Sequence, residues 1–139
     1  MSHFSKNTKV FITNLDAFVM ACRELGINGA VTMDTTIEMF DHTKHKVDLA
    51  IKVGEYDIGL QRGEEGRYSM VGDWWGVRKA LPSRFSQLSD DDQQGLILKT
   101  TTKCAIQSQY EAEGFNCEVV EDNKTGSLEL TLTRDGSRF

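Results

Sequence analysis

The sequence predicts one α+β domain: a mostly antiparallel sheet with two helices on one face, in the order β-α-β-β-β-β-α-β-β. Three observations carry that reading. Two well-capped helical segments lie far apart in the chain, the stretch between them alternates with period two, and its strands are joined by steps short enough for hairpins. With 139 residues there is room for one core that needs no disulfide or structural metal, and no repeat or linker divides it. Residues 1–134 are assigned to this domain and 135–139 to a patternless, disordered tail.

Phe4, Thr8, Val10 and Ile12 share one parity while Ser5, Asn7 and Lys9 share the other, which is the signature of a half-buried first strand. Asn14 ends it and caps a helix in which Leu15, Phe18, Val19, Cys22 and Leu25 form one apolar stripe; Asp16 charges its first turn, and Gly26 closes it. Residues 30–40 (Ala30, Val31, Met33, Ile37, Met39, Phe40) supply a less regular strand, followed by the polar loop Asp41-His42-Thr43-Lys44-His45. Val47, Leu49, Ile51 and Val53 then alternate with Asp48, Ala50 and Lys52, and Tyr56, Ile58 and Leu60 repeat the pattern across the Gly54-Glu55 step. A second turn, Gly63-Glu64-Glu65-Gly66, leads to Tyr68 and Met70.

From Gly72 to Ser89 the chain passes from sheet to helix, with Pro82, its single proline, inside that passage. Ser89 caps a helix opened by Asp90, Asp91 and Asp92 and running to Gly114. Its interior holds Gly95 and the β-branched Thr100, Thr101 and Thr102, which weaken a helix, and its small residues Cys104, Ala105, Ser108 and Ala112 imply a close approach to the sheet. Phe115, Cys117 and Val119 pair with Leu128, Leu130 and Leu132 around the turn Asp122–Gly126. The first seven elements match the element order of the TATA-binding-protein-like fold, a likeness that says little about function.

Composition excludes several classes. Net charge is −5, from 16 basic and 21 acidic residues, which disfavours coating nucleic acid by bulk electrostatics and leaves room for a local basic patch. No stretch approaches the roughly 18 apolar residues of a membrane span, and the polar Met1-Ser2-His3-Phe4-Ser5-Lys6 opening lacks the apolar core of a secretory signal. A cytoplasmic location is therefore expected. Three cysteines without a C-x-x-C pair do not form a disulfide framework, and Cys22 and Cys104 lie on core stripes. Asn123-Lys124-Thr125 matches a glycosylation sequon and is read as a turn.

No cofactor is implied. Phosphate-binding glycine loops are missing, Asp90-Asp91-Asp92 reads as a helix start, and His42 and His45 form the only close pair of metal-ligand type, too few for a site unless loop carboxylates join them. The most informative cluster is Trp74 and Trp75, followed by Arg78, Lys79 and Arg84. Adjacent strand residues face opposite ways, so with one tryptophan in the core the other is exposed near three cations, where it could anchor a partner protein or stack on a base. The competing reading has both tryptophans covering the sheet edge while the cations solvate a loop.

The opening Met1-Ser2-His3-Phe4-Ser5, then Leu15-Asp16-Ala17, Val47–Ile51, Tyr56-Asp57-Ile58-Gly59-Leu60, Tyr68–Gly76 and Glu113-Gly114-Phe115, resembles the hypothetical chloroplast open reading frame 35 family, also called domain of unknown function 1257, of cyanobacteria and plastids. The resemblance covers nearly the whole chain. It implies an accessory protein without an established activity, so no catalytic residue carries over. Two departures stand out: Thr101, Thr102 and Lys103 replace an aromatic tract in the second helix, and Arg134–Phe139 replaces a terminal Arg-Trp tail, divergence that points to a cyanophage or marine member.

With what the resemblance implies about source, the functional expectation is a non-enzymatic adaptor of a cytoplasm, a plastid stroma or a phage-infected host cytoplasm that binds another protein through an exposed sheet surface or edge near Trp74, Trp75, Arg78, Lys79 and Arg84. Single-stranded nucleic-acid binding by the same cluster, and a metal-dependent or other enzyme using His42, His45 and loop carboxylates, are the alternatives.

Overall fold

The computed structural model describes residues 4–6, 12–39, 41–121 and 128–134, and their side chains except at 4–6, 75, 121 and 128. A five-stranded antiparallel sheet in the order β1-β5-β4-β3-β2 is built from β1 (Phe4–Lys6), β2 (Val31–Glu38), β3 (Lys44–Val53), β4 (Tyr56–Arg62) and β5 (Tyr68–Asp73). Helix α1 (Leu15–Glu24) follows β1, a single-turn helix α2 (Trp74–Val77) follows β5, and the long α3 (Asp90–Ala112) precedes a separate two-stranded sheet of β6 (Asn116–Glu121) and β7 (Leu128–Thr133). This is the expected α+β arrangement, except that the final hairpin stands apart from the main sheet. Ile12 joins β5 through an isolated bridge to Tyr68, while residues 7–11 of the expected first strand, the sequon and the tail at 135–139 lie outside the described residues.

Both helix starts follow from their caps. Asn14 Oδ1 accepts from the Ala17 N–H at 3.0 Å, and Ser89 Oγ accepts from the Asp92 N–H at 3.1 Å, each supplying a partner that the first helical turn lacks. Gly26 and Gly114 follow the two helices at φ +90° and +93°. The three threonines of α3 are accommodated by bonding backwards: the hydroxyls of Thr100, Thr101 and Thr102 donate to the carbonyls of Leu96, Ile97 and Leu98 at 2.8, 2.7 and 3.0 Å.

The main core lies between sheet and helices: Leu49, Ile51, Ile58, Leu60 and Met70 meet Phe18 and Cys22 of α1, its C-cap Leu25, and Ile97 and Leu98 of α3, together with Trp74, Val77 and Phe85. Three of the small residues of α3 turn to the neighbouring helix, not to the sheet: Cys104 and Ala105 pack on Ala17 and Ala21 of α1, and Ser108 reaches Met20, while Ala112 is exposed. The expected approach to the sheet is corrected accordingly, because α1 lies beside α3 on the same face.

A smaller apolar cluster occupies the other face. Ile37, Met39 and Val47 gather there on Ala50 and Val71. Val47 shares its parity with Leu49 and Ile51 but packs on the other face; between the pairs Met33↔Leu49 and Thr35↔Val47 the β2–β3 ladder skips Asp34, at φ +49°, without a change of register. Asp48, in the same interruption, uses its carboxylate to accept the Arg62 N–H at 2.5 Å. The fold-over needs Gly59: a Cβ there would lie 2.7 Å from Val47 Cγ1 and 3.3 Å from Ile37 Cδ1.

Candidate functional site

The passage from β5 to α3 is a tightly fixed segment. The carboxylate of Asp73, itself buried, accepts from the Gly76 N–H at 3.3 Å and so starts α2. Trp74 and Trp75 therefore stand on a helical turn and not on a strand, which corrects the expectation that they face opposite ways: successive residues on a helix are separated by about 100°, not 180°. Trp74 is fully buried in the main core and contributes no exposed surface. The side chain of Trp75 lies outside the described residues.

Gly76 lets this turn sit against the sheet. Its missing Cβ would be 2.6 Å from Tyr56 Cδ2, and the Gly54 turn, at φ +64°, likewise leaves no room for a Cβ beside Ala80. Partial burial pushes the Tyr56 hydroxyl above its ordinary range, with Glu55, Asp73 and Glu38 adding negative charge nearby. The Tyr-Asp-Ile-Gly and Trp-Trp-Gly motifs are thus neighbours that build scaffold.

The three cations serve different purposes. Arg78 Nη2 donates to the Leu88 carbonyl at 3.0 Å and stands 3.3 Å from Asp90 Oδ1, tying the segment to the start of α3. Lys79 lies exposed in the following 3-10 turn, Arg78–Ala80. Arg84 is exposed in the 3-10 turn Ser83–Phe85, whose Phe85 is buried in the core. Below it, the buried Gln93 sends Nε2 to the carbonyls of Phe85 and Leu88, both at 3.3 Å.

Between this segment and α3 runs an open groove of about 500 Å³, lined by Arg84, Leu88, Asp92, Gly95, Leu96 and Lys99. Positions 92, 95, 96 and 99 fall on one face of α3 by helical spacing. Leu88 and Leu96 give it an apolar floor that continues into the main core, while Arg84 and Lys99 bring positive charge to its walls. The space beside Gly95 is empty to 4 Å, and its φ lies outside the left-handed range. One turn beyond Lys99, Lys103 Nζ donates to Glu24 Oε1 at 2.6 Å. That bond foremost holds the Glu24 carboxyl below its usual range, the charges of Lys103 and Arg84 adding to it.

The alternative histidine site has a different geometry. His42 Nδ1 is 2.8 Å from Glu38 Oε1 in an exposed turn where Asp41 accepts both the N–H and the hydroxyl of Thr43, and His45 belongs to β3, paired opposite Ile37. Among the described residues no group of three His, Cys, Asp or Glu side chains is placed to hold a metal ion. No helix among them is long and apolar enough to cross a membrane.

The structure thus gathers Arg78 and Arg84 around Leu88, and adds Leu88, Asp92, Gly95, Leu96 and Lys99, which sequence reasoning did not select. Their signal was present in the i, i+3, i+4, i+7 spacing along α3. The profile of the family described as "Protein of unknown function (DUF1257)" matches residues 21–131. The chain belongs to the DUF1257 family. The match takes in both motif regions, the Trp74–Leu88 segment and all of α3, so the groove lies within the DUF1257 region. No curated protein and no solved structure matches this DUF1257 member, so its likeness to the TATA-binding-protein-like fold is one of element order.

Proposed function

We propose that this DUF1257 protein is a non-enzymatic cytoplasmic accessory or adaptor protein that binds another protein, with the Trp74–Leu88 segment and the first turns of α3 as its contact face. The observation that supports the reading is the groove: an apolar floor flanked by cations, whose outer wall is fixed by Arg78 and the buried Gln93 before any partner arrives. Walls held by such bonds lose little freedom on binding, which favours affinity. In this reading Arg84 touches the partner and Arg78 positions Leu88. Trp74 supports both from the core.

The test is capture of partners from a native-type lysate with nuclease present, comparing the wild-type protein with Arg84→Glu and Arg78→Ala variants whose circular dichroism is unchanged. A protein retained in stoichiometric amount by the wild type and lost by Arg84→Glu is the expected result. Retention that disappears with nuclease, or that both variants preserve, overturns the assignment.

A further inference from the structure

From the groove between the Ser83–Leu88 segment and α3, we infer that its occupant is a short peptide segment of a partner protein that presents an apolar side chain beside an aspartate or glutamate. This rests on the protein-binding reading above and specifies its ligand.

Two independent observations lead there. The first is charge complementarity over an apolar floor. Arg84 and Lys99 flank Leu88 and Leu96, so a side chain that buries itself on the leucines brings its carboxylate neighbours within reach of a guanidinium and an ammonium. At about 500 Å³ the open groove has room for a few side chains.

The second observation is Gly95. A glycine inside a helix weakens it relative to alanine, and the usual reasons for keeping one are a left-handed φ or a crowded Cβ position. Neither applies: its φ is not left-handed, and nothing lies within 4 Å of where its Cβ would be. That open space belongs to the groove, between Asp92 and Lys99. A bare backbone at this point lets a second chain approach α3 closely, which accounts for a residue that the protein alone does not require.

The surroundings favour a peptide over nucleic acid. Asp90, Asp91 and Asp92 fill the first turn of α3, and Asp92 lines the groove itself, so a continuous phosphate backbone would meet carboxylates beside the two cations. A peptide with one or two carboxylates can place them at Arg84 and Lys99 and turn a neutral or basic flank toward Asp92.

The experiment uses a displayed library of short random peptides selected on the full-length protein. The best sequence is then synthesised with a fluorophore and titrated by anisotropy. Enriched sequences should combine Leu, Ile, Phe or Met with Asp or Glu. Binding should weaken about tenfold or more in Arg84→Glu, the loss expected for one charged partner, and Gly95→Ala should raise the melting temperature while weakening the peptide.

Selection on the Arg84→Glu/Lys99→Glu double variant should shift the preference to Lys and Arg; Arg84 is exposed and Lys99 half-buried, and Leu96→Gln supplies a third, uncharged probe of the floor. Three results overturn the inference: enrichment without acidic residues, binding indifferent to all these substitutions, or displacement of the peptide by a single-stranded oligonucleotide at low salt. If the lysate capture succeeds and depends on Arg84 while no acidic-apolar peptide is selected, the ligand assignment fails and the protein-binding reading stands. If neither experiment gives a partner, both fail.

Discussion

A Cβ added to Gly76 would lie 2.6 Å from Cδ2 of the Tyr56 ring, so two residues from separate motifs define one contact that only glycine permits. This contact seats α2 against β4 and sets where the chain leaves the sheet for the groove. Replacing Gly76 with alanine forces either the ring or the helix to move, and overpacking of this kind costs about 1–3 kcal/mol. Urea denaturation should report that loss. Tyr56→Leu in the same chain should recover part of it, and a double-mutant cycle with no coupling would refute the contact's importance.

Gln93 is the second anchor of the segment. Its Nε2 reaches the carbonyls of Phe85 and Leu88, and Arg78 also bonds that of Leu88. Gln93→Leu leaves the Phe85 carbonyl without this donor, but it also removes the Gln93 Oε1, which has no partner among the described residues. The expected net cost is about 1–2 kcal/mol, at the lower end for a buried unpaired group. Hydrogen exchange localised to residues 83–89 should accelerate, whereas unchanged protection there would show that Arg78 alone holds the wall.

The Glu24–Lys103 pair links α1 to α3 at 2.6 Å and lowers the Glu24 carboxyl from its ordinary value of 4.5, chiefly through the hydrogen bond from Lys103. A carboxyl depressed in the folded state contributes stability that is present above the unfolded value and is lost as pH falls through the folded one. The stability gap between the wild type and Glu24→Gln should therefore be constant near neutrality and close in acid. Its size at this half-exposed site is a few tenths to about 1 kcal/mol. A gap that widened in acid would contradict the assignment.

Cysteine chemistry separates the core from the last hairpin. Burial pushes the Cys22 thiol up to about 12 and the Cys104 thiol up to about 11, so neither supplies much thiolate at neutral pH. Cys117, on β6, is only partly buried, although desolvation and Glu111 raise its thiol as well. In a time course with iodoacetamide, peptide mass spectrometry should find Cys117 modified first and Cys22 and Cys104 modified at the rate of global unfolding. Early modification of Cys22 would mean that α1 opens locally.

Local rules make most of the fold readable in the sequence. Asn14, the Leu15–Leu25 stripe and Gly26 each act within one helix, and Ser89 caps α3 for the same reason. Contacts between distant residues were not readable. Val47 packs on the other face, in space that Gly59, twelve residues later, leaves open, whereas alternation alone would have left it beside Leu49. Asp73 is an N-cap like Asn14, but the apolar run of β5 leading into Trp74 and Trp75 concealed the short helix. The five cations and histidines singled out from the sequence were not equivalent either: Arg78 bonds a carbonyl, Arg84 lines the groove, Lys79 lies exposed between them, His42 closes a turn and His45 sits in a strand. Gly95 was visible as a weakness of the helix, and only the empty space beside it gives that weakness a use.

The kink at Asp34 also bears on solubility. β2 is an outer strand of the sheet, and an outer strand is a ready template for stacking identical chains. With its left-handed φ, Asp34 divides that strand into Val31–Met33 and Thr35–Glu38, each shorter than the roughly five to seven residues that seed cross-β assembly. It also places a carboxylate between the two pieces. An Asp34→Val variant, which removes both the charge and the left-handed residue from this outer strand, is therefore expected to aggregate from the folded state, as light scattering under native conditions would show.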